Sequence, residues 1–416
     1  MRSCEIGDGF LLMQSELNAD MSLVDARVRG AETMSNVTST GHVVLADTDF
    51  LGAVDLSRII CKSITLDRSR FHSSFGMQSC QFSEGSSAVG ARFSGNVSIR
   101  DCVAAGELVS IDGMSVDGAI SMTVSARKLS CRATRFVGGG RIDLAGPVMI
   151  QMSQATASTP LVLSSTDPSA PAELLSLRDT DTAGLVLSNI RLARCQFRGA
   201  INLDKLRTEG TELFLRAPRC LRFLGLGRIT VAEEHQWRLT DGRSRRQTGW
   251  TDIAPSFPSE WRSEVTDYPP TAANVAGAYR NLRKGREDSK DEPGAADFYY
   301  GEMLMRMQPS GKPAERLIVV LYWLVSGFGL RASRAFLALF VAIAVASTLL
   351  YFYGLAPGGS HSVSQALLVA LNAPFGRDYN TMLTTPGQFI QLTARIVEPI
   401  LLGLALLAIR GRVKRN

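Results

Sequence analysis

Ala26-Arg27-Val28-Arg29-Gly30, Thr48-Asp49-Phe50-Leu51-Gly52, Ser69-Arg70-Phe71, Ala91-Arg92-Phe93-Ser94-Gly95 and Thr134-Arg135-Phe136-Val137-Gly138 are versions of one short motif. Its bulky apolar residue falls at 28, 50, 71, 93 and 136, and Met114 is expected to fill the gap between the last two. The repeat is then 21 or 22 residues long. Cys195-Gln196-Phe197-Arg198-Gly199 is expected to recover the pattern after about three further periods. Alternating apolar pairs follow the motif: Val54/Leu56, Ile64/Leu66, Val97/Ile99, Ile120/Met122, Ile142/Leu144 and Ile201/Leu203. Short alternations at a fixed long period, punctuated by Gly, Ser, Asp and Arg, predict a β-solenoid, because each coil can bury its apolar side only against the next. Roughly ten coils at about 4.8 Å each would make a rod of about 50 Å. Cys4-Glu5-Ile6-Gly7 already reads as part of a coil, and the prolines at 160, 168 and 171 predict a loop bulging out over 158–183.

Beyond the repeats the chemistry changes. No Asp, Glu, Lys or Arg occurs in 335–376. A helix of about 20 apolar residues crosses a bilayer core, and 335–354 (AFLALFVAIAVASTLLYFYG) supplies it. A second span is expected over 386–409, with Thr385 as N-cap and Pro386 at the first helical position. The stretch 317–330 (LIVVLYWLVSGFGL) is apolar but too short to cross, which suits an elbow or interfacial helix over 315–330. A short re-entrant helix is expected over 362–372. Arg306, Lys312, Arg316, Arg331 and Arg334 precede the first span, and Arg410, Arg412, Lys414 and Arg415 follow the second. Positive flanks predict that the N-terminal part and the C-terminus are cytosolic. The flanks also explain much of the net charge of +6, so no nucleic acid is expected as partner. Residues 232–270 read as an irregular linker that closes the solenoid, and 271–309 as a helical hairpin joining a solenoid at 1–231 to a membrane domain at 314–416.

With 416 residues, 20% charged and 45% hydrophobic, the chain is neither disordered nor a disulfide scaffold. Its seven cysteines lack CxxC spacing; those in the repeats (Cys61, Cys80, Cys102, Cys131, Cys195) are expected to point inward as buried thiols. Residues 1–20 hold no long apolar core, so no secretory leader is expected. The four histidines lack metal-ligand spacing, no nucleophile elbow or phosphate loop is present, and neither an enzyme nor a cofactor is expected.

The membrane domain holds the sharper residues. Glu398 and Arg395 lie in the second span, three apart on one face, where they can pair. Counted from Arg410, Glu398 sits about 18 Å inward at 1.5 Å per residue, and a charge there costs about 2.5–3.5 kcal/mol. Either the pair lines an ion or proton path between protomers, or it locks spans together. His361, Ser364, Gln365 and Asn372 either line an outer vestibule or cap the re-entrant helix.

YRNLRKGREDSKDEPGAADFYYGEMLMRM (279–307), then LYWLVSGFGLRASRAF (321–336) and two spans, resembles prokaryotic pentapeptide-repeat-type membrane proteins with a C-terminal two-span, ion-channel-like domain. The resemblance covers the last third well and the repeats loosely, since no strict five-residue pattern is present. It implies an inner-membrane homo-oligomer, with a tetramer as the guess, and a cytosolic solenoid that senses or binds a protein. It also implies a selectivity filter after the re-entrant helix; 373–379 (APFGRDY) lacks one. Two functions follow as expectations: a channel-like assembly, or a membrane-tethered scaffold without conductance.

Overall fold

The computed structural model describes residues 4–105, 108–210, 213–218, 228–240, 249–308, 313–356, 362–373 and 383–413. They form two compact units, 1–298 and 299–416. The first is a parallel β-solenoid of about nine turns, with a coil of roughly 22 residues. One ladder stacks two-residue strands: Glu5–Ile6, Arg27–Val28, Asp49–Phe50, Arg70–Phe71, Arg92–Phe93, Ser115–Val116, Arg135–Phe136 and Thr156–Ala157. The second residue of each strand turns inward. Val28, Phe50, Phe71, Phe93, Val116 and Phe136 are at most 2% exposed, and the three consecutive phenylalanine rings stack at 4.9 and 4.6 Å.

This register corrects two expectations. Val116, not Met114, fills the gap in the column; Met114 is also buried, but it stands in register two residues earlier. Residues 195–199 do not rejoin the column either. Gln196 bridges Ser176 on another side of the coil, and Ile201 continues the ladder by bridging Asp181. Both slips follow from coils that vary by a residue or two, so a fixed count drifts.

Corners are made by left-handed residues. Asp25, Asp47, Arg68, Gly90, Gly113, Ala133, Gln154 and Asp179 take φ between 52° and 68° at equivalent places. Where the corner interrupts the backbone ladder, carboxylates supply acceptors to the next coil. Asp20 accepts from the His42 N–H, Asp67 from Val89 and Asp112 from Arg132, each at 2.8 Å. Stacked glycines allow the tightest turns: a Cβ at Gly52 would lie 2.2 Å from the Gly30 carbonyl oxygen.

The prolines do not eject a 26-residue loop. Leu161–Ser165 remains a strand in register with the coil before it, Glu173–Ser176 remains one with a bulge at Leu175, and the segment between them leaves the ladder. The thiols of Cys61, Cys80, Cys102, Cys131 and Cys195 are free and buried, as expected. The segment after the coils contains helix α1 (Ala232–Thr240) and a layer formed by Ile253, Phe257, Trp261 and Val265, which packs on Ala232 and Leu175. Helix α2 (Ala272–Asp288) starts at Thr271, whose hydroxyl accepts the Asn274 N–H, and buries Val275, Tyr279 and Leu282. Helix α3 (Glu292–Arg306) follows, and the division between the units falls within it.

The second unit continues with α4 (Pro313–Ser326), α5 (Ala332–Leu349) with a π-turn at Leu350–Gly354, α6 (Val363–Asn372) and α7 (Thr385–Val413). Ser333–Gly354 and Thr385–Leu407 are long and apolar enough to cross a membrane. The cap of α7 differs from expectation. Thr384, not Thr385, accepts the Gly387 N–H, and its hydroxyl donates to the Tyr353 carbonyl at 2.6 Å.

Candidate functional site

Helices α5 and α7 pack side by side. The π-turn that ends α5 touches the first turn of α7 at Gly354 and Gly387, where a Cβ on Gly387 would lie 2.4 Å from the Gly354 carbonyl oxygen. Small residues continue the seam: Ala335 and Ala346 on α5, Ala394 and Ala405 on α7 are all buried. Close approach through small side chains is what joins helices where lipid supplies no hydrophobic drive. The outward faces carry large apolar groups, among them Phe340 at 71% exposure and Phe389 at 68%.

Glu398 belongs to the seam. Ala394, Glu398, Leu401 and Ala405 recur at i, i+4, i+7 and i+11 on the buried stripe of α7. Glu398 is 1% exposed, and neither carboxyl oxygen has a hydrogen-bond partner among the described residues. It lies eleven residues beyond the Gly387 crossing, about 16 Å along the helix. Arg395 is half-buried one turn away and makes no hydrogen bond to Glu398. The two candidates therefore share a helix, one turn apart, and no hydrogen bond joins them.

Helix α6 docks on this pair through Ala366, Val369 and Ala370. Its polar residues serve its own ends. The Ser362 hydroxyl accepts the Gln365 N–H at 3.2 Å, and the Asn372 amide donates to the Leu368 carbonyl at 2.7 Å. Ser364 is exposed and contacts Ser362, while Gln365 is half-buried. His361 and the segment 374–382 lie outside the described residues.

A second ionisable cluster, in the first unit, went unread in the sequence. The Glu234 carboxylate accepts from Arg228 at 2.6 Å to each oxygen, from Arg238 at 3.1 Å and from the Tyr279 hydroxyl at 2.5 Å. All four are buried. Burial pushes the Glu234 carboxyl up, but the two guanidiniums outweigh it and hold it at about 2. His235, beside it, donates or accepts at Thr230 and takes the Thr251 N–H; burial lowers it to about 4. Glu233 accepts the Phe197 N–H at 2.7 Å, and burial raises it to about 7. The only sequence signal was two acidic residues opening a helix after a strand. This network is buried and ties the last coil to α1 and α2.

A cleft of about 580 Å³ lies between the strand Arg207–Glu209 and α2, with Asp204, Glu209 and Arg286 on its walls. Charges of both signs alternate there, and Lys284 and Arg286 are already paired, with Asp204 and Asp291. Among the described residues no group of three His, Cys, Asp or Glu could hold a metal ion. Compared with protein-family models, with curated proteins and with solved structures, the chain matches none.

Proposed function

We propose that the protein is a membrane-tethered β-solenoid scaffold, which holds its rod in the cytosol against the inner membrane of a prokaryotic cell and presents it to a protein partner. One observation carries this reading: the carboxyl and three of the hydroxyls of the two long apolar helices are turned inward or bonded to their own helix. Glu398 faces the α5–α7 seam, and the hydroxyls of Ser347, Thr348 and Thr393 donate to carbonyls one turn earlier at 2.8–2.9 Å. Among the described residues the outward faces carry mostly large apolar groups, as lipid-facing surfaces do, with Gln388 exposed and Gln391 and Arg395 half-buried among them. No enzymatic activity belongs to this reading.

Glu398 itself favours a second reading, a homo-oligomeric, channel-like assembly with the solenoid as its sensor. A buried carboxyl with no donor on either oxygen needs a cation, a proton or a sister subunit. The likeness of 279–336 to two-span channel-like proteins points the same way, with a tetramer as the natural number. The mass of the detergent-solubilised protein, followed by flux through reconstituted vesicles, separates the two. A monodisperse monomer without conductance is expected. A stable oligomer whose ion flux changes in Glu398→Gln overturns the scaffold in favour of the channel.

A further inference from the structure

Helix α4 has an unclaimed face. Leu317, Ile318, Leu321 and Leu324 are 60, 66, 49 and 61% exposed. They fall at i, i+1, i+4 and i+7, one stripe of a helix only about 21 Å long, too short to cross a bilayer. The opposite face is fixed. The Trp323 indole donates to the Tyr300 hydroxyl at 2.8 Å, and the rings of Tyr300 and Tyr322 meet Phe328 at 5.3 and 5.9 Å.

The end of α4 is rigid too. Gly327, Phe328 and Gly329 are three successive left-handed residues, with φ of 55°, 58° and 75°. Phe328 is buried in that conformation, which a bulky residue adopts only when its surroundings hold it there. Ser326 clamps the turn: its hydroxyl accepts the Gly329 N–H, and its carbonyl accepts the Arg331 N–H, both at 3.1 Å. The chain thus leaves the apolar stripe of α4 and enters the outward apolar face of α5 at a set angle. Arg331 and Arg334 stand at this corner, their guanidiniums 5.6 and 5.4 Å over the rings of Tyr300 and Trp323. Arg316 is exposed beside the stripe.

We infer that α4 lies along the headgroup layer of the bilayer, with Leu317, Ile318, Leu321 and Leu324 in the acyl boundary and Arg316, Arg331 and Arg334 binding phosphates of anionic phospholipids. This rests on the reading that α5 and α7 span a membrane. The occupant is lipid because the stripe continues the outward face of a span, and because indole, phenol and guanidinium groups converge where a span leaves the hydrocarbon.

The test places an environment-sensitive fluorophore at Leu321→Cys or Phe340→Cys in the full chain, with Cys4 and Cys220 replaced by Ser. The protein is reconstituted in phosphatidylcholine vesicles, with or without phosphatidylglycerol. The label at 340 should be quenched by spin labels deep in the acyl chains. The label at 321 should be quenched by labels near the headgroup, more strongly with phosphatidylglycerol, and that gain should vanish in Arg331→Gln/Arg334→Gln. If 340 is not quenched, the spanning reading fails. If 340 is quenched while 321 answers only to aqueous iodide, or to neither quencher because a second copy covers it, the inference is overturned. Equal quenching at 321 with and without phosphatidylglycerol overturns the anionic part.

Discussion

Glu233 shows how much one side chain reveals once its surroundings are known. Its carboxyl sits near 7 in the fold and near 4.5 when unfolded, so the fold prefers the neutral form. The stability this gives is complete below about pH 4.5 and is lost as pH rises through 7. The difference corresponds to about 3 kcal/mol in the alkaline limit. Glu233→Gln keeps an oxygen for the Phe197 N–H and removes the titration. Melting curves from pH 5 to 8 should therefore converge at the acidic end and favour the variant at the alkaline end. Glu234 behaves oppositely. Glu234→Gln strands two buried guanidiniums and should cost about 3–5 kcal/mol in urea unfolding. In the sequence these neighbours, Glu233-Glu234, look alike; only the partners reaching them from residues 197, 228, 238 and 279 tell them apart.

At the scale of elements, the phenylalanine column carries the solenoid. Phe71 lies between two stacked rings, with Phe75 edge-on at 4.9 Å, so Phe71→Ala should lose about 3–5 kcal/mol, measurable by denaturant titration. The helix pair hangs on its glycines: Gly387→Leu should force α5 and α7 apart and cost about 1–3 kcal/mol, read as a lowered melting temperature in detergent. Much of this was legible in the residues. The 22-residue recurrence and the two helices long and apolar enough to cross a membrane needed only periodicity and composition, which are local. What failed was register. Met114 and Phe197 are apolar and at a plausible count, but a corner that lengthens by a residue moves the count without changing the pattern. Proline misled over 158–183 because it is tolerated at the edges of these short strands. The side of α7 on which Glu398 lies depended on packing against α5, which no spacing along one helix specifies.

Taken whole, the chain joins a stack held by inter-coil hydrogen bonds to a bundle held by small-residue contacts, and each unit should survive alone. A fragment of residues 1–308 should be soluble and monomeric, with a strand-rich circular dichroism spectrum; aggregation would mean that the first unit needs the helices that follow. Each turn of the stack pairs with the one about 22 residues earlier. A nascent chain leaving the ribosome can therefore add finished turns one at a time before the long apolar helices are made. The stack is then already a folded body when the helices long and apolar enough to cross a membrane emerge.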